Sequence, residues 1–250
     1  MTNKKIIRKI EELSMNALPA LQTQLYDGWV VRFADGYTKR ANSINPIYFS
    51  KEDVHDKIET VEQMYHKKNL KVVYKMTKQV SPENLDFILE ESRYIQDSLT
   101  SVQTLSLQDV QIELKHHAIV YNDLQADWFR NFCKLNSVKE QDRITLNNML
   151  NNIIAETRYF QLTDESNEIV ACGMCVLENN CIGLFDIVTS EKQRNRGYGF
   201  KLIQSILQWG KENGARLAYL QVMLNNPPAL KLYSKLGFKE VYQYWYRIKA

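Results

Sequence analysis

One run of this chain is composed to hold an anion: Gln193-Arg194-Asn195-Arg196-Gly197-Tyr198-Gly199. It uses two of only nine glycines in 250 residues, and no glycine lies between Gly36 and Gly173. Ahead of it stands the apolar stretch Gly183-Leu184-Phe185-Asp186-Ile187-Val188; behind it residues 200–213 read as a helix. Strand, basic glycine loop and helix start together aim several backbone N–H groups at a phosphate. Glycine permits close approach and positive φ, the helix N-terminus adds partial positive charge, and the arginines add full charge. Spacing narrows the ligand. The dinucleotide fingerprint needs a third glycine where Leu202 stands, and the nucleoside triphosphate loop needs a Gly-Lys-Ser/Thr ending that this run lacks. What remains is Arg-x-x-Gly-x-Gly, Arg194 to Gly199.

A second constellation is Asn226-Pro227-Pro228-Ala229-Leu230-Lys231-Leu232-Tyr233-Ser234-Lys235-Leu236-Gly237-Phe238. It predicts one short helix, with Asn226 as N-cap, Pro227 in the first turn and Gly237 just past the end. Asn226 and Tyr233 fall two turns apart and can share a face. The first run resembles the pyrophosphate loop of the GNAT superfamily of acyl-coenzyme A-dependent N-acetyltransferases. The second resembles that superfamily's Asn-x-x-Ala-x-x-Leu-Tyr-x-x-x-Gly-Phe signature, with every fixed position filled. Both motifs stand in family order.

The resemblance implies transfer of an acetyl group from the cosubstrate acetyl-CoA to a primary amine of a small molecule or a protein, by direct attack on the thioester. It assigns the pyrophosphate to Arg194, Asn195, Arg196, Gly197, Tyr198 and Gly199. Strand residues 186–189 are expected to splay from a neighbour, so that Ile187, Val188 and Thr189 meet the pantetheine arm, with the Val188 N–H as oxyanion donor. Asn226 contacts the cofactor by resemblance; by physics it is a helix cap. Tyr233 matches the family tyrosine and is the candidate general acid, its phenol pKa of about 10 suiting a thiolate leaving group. The plainer reading of Tyr233 is a packed aromatic with a satisfied hydroxyl.

The general base is less clearly marked. Many family members place a glutamate early on the strand before the loop, yet Gly183, Leu184 and Phe185 carry no carboxylate. Asp186 ranks first and Glu178 second, either acting through a water; an amine arriving neutral needs neither. A carboxylate bracing nearby backbone is an equal reading of Asp186. The missing glutamate also favours a rival: a catalytically lapsed coenzyme A-binding sensor or interaction module. The intact Arg194 loop, Asn226 and Tyr233 oppose it. A third reading is a donor with a longer acyl chain, which bulky residues near the thioester would oppose.

The elements that must position these residues follow from periodicity. Residues 126–136 and 142–156 read as helices, the second with apolar Ile144, Leu146, Met149, Leu150, Ile153 and Ile154. Residues 158–162 form a strand, 168–177 and 181–188 a hairpin across Glu178-Asn179-Asn180, 218–224 a strand and 238–248 a final aromatic strand. This order predicts an α/β fold: a mixed sheet flanked by helices, with a GNAT fold in the C-terminal half. The expected domains are 1–125 and 126–250. In the first, residues 4–16, 52–68 and 82–91 read as helices, 28–34 and 37–43 as a hairpin turning at Asp35-Gly36, and 70–76, 99–107 and 111–120 as strands. Strand 70–76 and helix 82–91 parallel the strand and helix around the glycine loop, but Thr77-Lys78-Gln79-Val80-Ser81 has no glycine. A degenerate GNAT-like N-terminal half without a phosphate loop is one reading, and an unrelated α+β cap the other.

Gly28-Trp29-Val30-Val31-Arg32, Tyr37 to Ser43, the Gly-Leu-Phe-Asp strand and the Tyr-Trp-Tyr-Arg end at 244–247 resemble a group of bacterial tandem-domain GNAT proteins, which extends the likeness over most of the chain. Arg40, Asn42 and Ser43 either line an acceptor pocket or fix their loop. Tyr242, Tyr244, Trp245 and Tyr246 either offer ring faces to a cation or pack the last strand.

Composition bounds the rest. Hydrophobic content of 44% and charged content of 24% describe an ordinary globular chain. A net charge of +3 is too small to argue for nucleic acid or an anionic membrane. No run reaches the roughly 18 apolar residues of a span, and residues 1–12 lack the apolar centre of a secretory leader. A cytoplasmic chain is expected, with no oligomeric state implied. Cys172-x-x-Cys175 has no second pair and no nearby histidine to complete a metal set, so Cys133, Cys172, Cys175 and Cys181 are read as buried thiols and no metal is expected. His116-His117 is read as a surface pair.

Overall fold

A computed structural model describes residues 3–108, 110–112 and 118–249, and the chain resolves into two compact units. The first comprises Met1–Val102, Val222–Asn225 and Val241–Ala250; the second comprises Gln103–Gln221 and Asn226–Glu240. The chain therefore returns to the first unit at its C-terminal end. Expected strand 111–120 falls partly on residues outside the description, and the His116-His117 pair lies wholly outside it. No described helix is long and apolar enough to cross a membrane.

The first unit holds α1 (Asn3–Ala17), β1 (Gln22–Tyr26), β2 (Trp29–Phe33), β3 (Ile44–Asn45), α2 (Val54–His66), β4 (Val72–Thr77), α3 (Leu85–Glu91) and the start of β5 (Ile95–Ser106). Its core gathers Trp29, Val31, Ile44, Val61, Tyr65, Tyr74, Met76, Leu85 and Leu89. The hairpin does not turn where the sequence suggests. β1 and β2 pair antiparallel with Tyr26 opposite Trp29, and the turn is Asp27-Gly28, both left-handed at φ 37° and 81°. Asp35-Gly36 is left-handed as well, but residues 37–43 form no strand. The buried Asn42 side chain accepts from the N–H of Ala34 and Gly36, and buried Arg32 donates to the carbonyl of Arg40. Side chains thus satisfy a loop that the sequence presented as a ladder. Asn42, whose side chain holds this loop, and Ser43 are both buried.

The loop after β4 differs in kind from the glycine loop. Thr77 Oγ1 accepts from the Gln79 N–H, Ser81 N donates to Pro46 O, and the Ser81 carbonyl accepts from Trp29 Nε1. The protein itself takes these polar groups.

The second unit holds β6 (Ile119–Tyr121), α4 (Ala126–Leu135), α5 (Glu140–Asn151), β7 (Glu156–Thr163), β8 (Ile169–Glu178), β9 (Cys181–Thr189), α6 (Tyr198–Glu212), most of β10 (Leu217–Met223) and α7 (Pro227–Lys235). Strand order is β10-β9-β8-β7-β6, with β9–β10 parallel and the rest antiparallel. The β8–β9 turn uses Asn179 and Asn180 at φ 51° and 58°, the primed geometry that matches strand twist. Helix α5 ends at Asn151, short of the expected 156. Its apolar positions do not share one face: Leu146, Met149 and Leu150 are buried while Ile144 is exposed, and Ile154, expected on the helix, lies beyond it and is exposed. β7 takes over at Glu156. On α6 the expected face, Leu202, Ile203, Ile206, Leu207 and Gly210, is buried. Gly210 carries no side chain where Ile182 of β9 packs; a Cβ there would stand 2.5 Å from the Ile182 Cδ1.

The last strand, β11 (Lys239–Lys249), begins in the second unit and from Val241 belongs to the first, where it pairs antiparallel with β4. Tyr242, Tyr244 and Tyr246 are buried on one face; Trp245 and Arg247 turn to Asp86. The chain's own lysines take the ring faces. Lys75 Nζ lies 4.1 Å from the Tyr244 centroid and Lys39 Nζ lies 5.1 Å from that of Tyr246. The aromatic run packs the strand. The described cysteines are free and buried, and burial pushes the Cys172 thiol up to about 12.

Candidate functional site

Three elements of the second unit converge on the glycine run. After β9, Glu191–Gln193 make one 3-10 turn, and Arg194, Asn195, Arg196 and Gly197 are exposed. Asn195 and Gly197 are left-handed at φ 63° and 84°, and Gly197 is the N-cap of α6. A Cβ on Gly197 would meet nothing within 4 Å, so this glycine is required by its backbone angle and leaves an open cradle above it. Gly199 is closely packed: a Cβ there would stand 3.3 Å from Leu232 Cδ2 of α7 and 3.4 Å from Thr189 Oγ1. The end of β9, the start of α6 and the middle of α7 therefore meet at Gly199. The first turn of α6 contains no acidic residue to oppose an anion. Arg194 pairs loosely with Glu191 at 3.4 Å, both exposed.

The loop is also tied from behind. Gln193 Nε2 donates to Asp164 Oδ2 at 3.2 Å, while Asp164 Oδ1 accepts from the N–H of Ser166 and Glu168. This brace joins the turn after β7 to the approach of the loop. Side-chain pairing at such separation leaves no mark in the sequence.

Strand β9 opens beside the loop. Its parallel ladder with β10 consists of Leu217↔Cys181, Ala218↔Ile182 and Tyr219↔Gly183, and pairing stops there. On its other side, Cys172 faces Val188 and Met174 faces Phe185, so Gly173 alone opposes both Asp186 and Ile187. This is a β-bulge, with Asp186 left-handed at φ 53°. Gly173 leaves room for the Ile187 side chain at the bulge: a Cβ there would stand 2.6 Å from Ile187 Cδ1 and 3.2 Å from Leu202 Cδ2. A lone glycine in a strand is a readable signal of such close approach.

Asp186 is half-buried and lies among Tyr159 and Cys133. Burial, then the charges of Asp186 and Asp123, push the Tyr159 phenol up to about 12. Burial likewise raises the Cys133 thiol, with Arg143 working against it. Cys133 also lines a cavity of about 400 Å³ between α4 and α5, together with Phe129, Arg130, Arg143 and Asn147. Glu178, the second-ranked base, sits at the far end of β8 at the hairpin turn. Ile187, Val188, Thr189, Tyr198 and Gly199 are only partly covered.

Helix α7 follows the expected caps. Asn226 Oδ1 accepts from the Ala229 N–H at 3.3 Å, Pro227 opens the helix, and Gly237 closes it at φ 91°. Tyr233 is 8% exposed and packs edge-on against Phe238, with centroids 5.9 Å apart. Its neighbour Leu232 is the residue that touches Gly199.

The family described as "Probable histone acetyltransferase Rv0428c C-terminal" matches residues 5–247. The chain belongs to that family. This acetyltransferase is 28% identical to the uncharacterized N-acetyltransferase YobR of Bacillus subtilis, over 97% of this chain and 98% of that one. It shares its fold with a GCN5-related N-acetyltransferase from Kribbella flavida (TM-score 0.72, 13% identity, 98% of this chain and 95% of that one). A tandem GNAT protein from the clavulanic acid biosynthesis pathway also superposes (TM-score 0.68, 8% identity, 96% of this chain and 87% of that one). The mixed α/β architecture of this GNAT acetyltransferase is therefore shared across nearly its whole length. Among the described residues, no group of three His, Cys, Asp or Glu is arranged to hold a metal ion.

Proposed function

We propose that this acetyltransferase uses acetyl-CoA and delivers the acetyl group to a primary amine of a small molecule or a protein by direct attack on the thioester. One observation carries the reading. The open cradle at Gly197, on the N-terminus of α6, lies next to a strand whose ladder ends at Gly183 and whose backbone bulges at Asp186-Ile187. The cradle and the acid-free helix start fit a pyrophosphate; the unpaired side of β9 fits an extended amide-bearing arm that completes a sheet-like edge. Coenzyme A, when bound, supplies an acyl carbon already activated for attack by an amine.

The chain's own residues then have separate tasks. Backbone N–H groups of residues 195–199 hold the phosphates, with Arg194 and Arg196 adding charge from the exposed rim. Ile187, Val188 and Thr189 orient the arm, and the Val188 N–H polarises the acyl carbonyl. Asn226 reaches the arm from α7 while its oxygen caps the helix. Tyr233 carries the proton for the departing sulfur. Asp186, half-buried beside Tyr159, takes the proton of the incoming amine directly or through a water. The first unit, rather than all of the expected 1–125, is a GNAT-like partner without a phosphate loop, and the second unit carries the chemistry.

A second reading has one observation in its favour. The position where many relatives carry a glutamate is filled by aromatic rings around Gly183, which suits a coenzyme A sensor without chemistry. A thiol-release assay with a panel of primary amines separates the two. Amine-dependent release supports the transferase; tight acetyl-CoA binding with no release for any amine supports the sensor.

A further inference from the structure

The cavity between α4 and α5 is composed to receive an anion. Its volume of about 400 Å³ lies in the range of small-molecule sites. On α5, Arg143 and Asn147 stand one turn apart and Asn151 one turn further, so the three line a single stripe of the helix. On α4, Phe129 and Cys133 likewise stand one turn apart and offer apolar surface, with Arg130 beside Phe129. Among the described residues no Asp or Glu lines the cavity. The protein leaves these arginines largely available. Arg143 Nη1 meets Glu140 Oε2 at 2.5 Å, but that carboxylate is 82% exposed, and such surface pairs contribute little. Arg143 Nε is buried with no hydrogen-bond partner among the described residues. A buried N–H of a charged group rarely goes unpaired, so this donor marks the place of an acceptor atom from outside the chain. Arg130 pairs with Asp127 at 3.0 Å, both side chains being largely exposed.

Cys133 ties this cavity to the chemistry. Its helix, α4, packs against β8 and β9. Cys133 lines the cavity, and the charges of Asp186 and Arg143 act on its thiol in opposite directions. Asp186 and the Arg143 guanidinium therefore both lie within reach of one site. We propose that this cavity binds the acceptor, and that the acceptor is a small amine bearing a carboxylate or phosphate on an apolar body. The oxyanion meets Arg143 and Asn147, and the amine points toward Asp186. This substrate class rests on the transferase reading above. The Nε edge of Arg143 matches an oxyanion in fork geometry, Asn147 adds a neutral donor, and Phe129 and Cys133 cover methylenes. A lysine-rich protein tail fits poorly: its neighbouring cations would meet Arg130 and Arg143 with no acid to receive them.

Two readouts separate this proposal from the reading beneath it. Protein saturated with coenzyme A is titrated calorimetrically with γ-aminobutanoate, ε-aminohexanoate and aminoethyl phosphate. The comparison ligands are butylamine, hexylamine, ethylamine and a lysine-rich peptide, and thiol release from acetyl-CoA is followed with the same amines. At least one anionic amine is expected to bind about tenfold or more tightly than its anion-free counterpart, the effect of a charge-assisted hydrogen bond. The carboxylate and phosphate arms show which oxyanion is preferred. Arg143→Gln should remove the margin, Arg143→Lys should restore part of it, and Asn147→Asp, which sets a carboxylate in the stripe, should reverse it. Melting curves identify a variant that fails to fold, and the other position then decides. Anion-free amines or the peptide binding as tightly as the anionic amines overturns the proposal, as does a margin that survives in folded Arg143→Gln and Asn147→Asp. No binding of any anionic amine also overturns it, and thiol release with a neutral amine then leaves the transferase reading standing. Anionic amines that bind through Arg143 without thiol release establish an anion site but overturn its use for an acceptor, and the transferase reading with it.

Discussion

At the scale of single residues, identity and spacing made helix caps and glycine conformations more legible than aromatic contacts. Arg194, Gly197, Gly199, Asn226 and Tyr233 sit in two short runs whose local physics is self-contained. Gly183, Phe185 and Tyr219 become one feature only through the β9–β10 register, which no local pattern reports. Their contact makes a sharp prediction. Gly183→Glu, which would restore a carboxylate early on the strand, has no room beside Tyr219 and Phe185. It should lower stability by about 1–3 kcal/mol, the usual cost of overpacking, and bring no gain in turnover; a melting curve and a thiol-release rate check both. Tyr233→Phe should cut turnover by about 10²–10⁴-fold, the range for a lost general acid, with acetyl-CoA affinity unchanged. Unchanged turnover would reduce Tyr233 to packing against Phe238.

At the scale of elements, caps and turns were readable where one side chain or one φ decides. The Asn179-Asn180 turn, the Asn226 cap and Gly237 are such cases. The first hairpin was misplaced because two Asp-Gly pairs compete, and the choice between them lies in Asn42 and Arg32, which fold the second pair into a loop. The splay expected of residues 186–189 concerns the side of β9 where the ladder with β10 ends at Gly183; the bulge at Asp186-Ile187, toward β8 with Gly173 beneath Ile187, was not foreseen and emerges only with the strands paired. Asn226 tests two roles separately. Asn226→Ala should cost about 1 kcal/mol of stability through the lost cap. Asn226→Ser keeps a cap and removes the amide, so weaker acetyl-CoA binding with unchanged melting would establish the cofactor contact. Unchanged binding in Asn226→Ser would leave only the cap.

At the scale of the whole molecule, the C-terminal strand was legible as a strand but not by its membership. β11 pairs with β4, and its residues enter charge networks of the first unit: Tyr242 Oη donates to Glu11, which accepts from Lys75 at 2.6 Å. Glu11 and Lys75 are 1% and 4% exposed. Glu11→Ala should therefore destabilise by about 3–5 kcal/mol, the cost of stranding a buried charge, and Glu11→Leu with Lys75→Met should recover much of it in a denaturant titration. Acid sensitivity follows from the same unit. Hydrogen bonds from Arg247 hold the Asp86 carboxyl below its ordinary range against the opposing effect of burial, and Lys39 does the same for Asp97. A carboxyl with a depressed folded pKa contributes stability above its unfolded value of about 3.9 and loses it as pH falls through the folded value. Melting temperature should hold from neutral pH to about pH 4 and drop below it. Asp86→Asn should melt lower at pH 7 with a shallower acid limb.

The central claim is that the loop from Arg194 to Gly199 holds the pyrophosphate of acetyl-CoA. Calorimetric titration of acetyl-CoA into wild type and into Arg194→Glu/Arg196→Glu tests it most directly, since both side chains are exposed and their exchange leaves the core untouched. Micromolar affinity that weakens by about 10²-fold or more in the variant and declines with salt is the expected result. Equal affinity in both proteins, or no heat of binding in either, would contradict it.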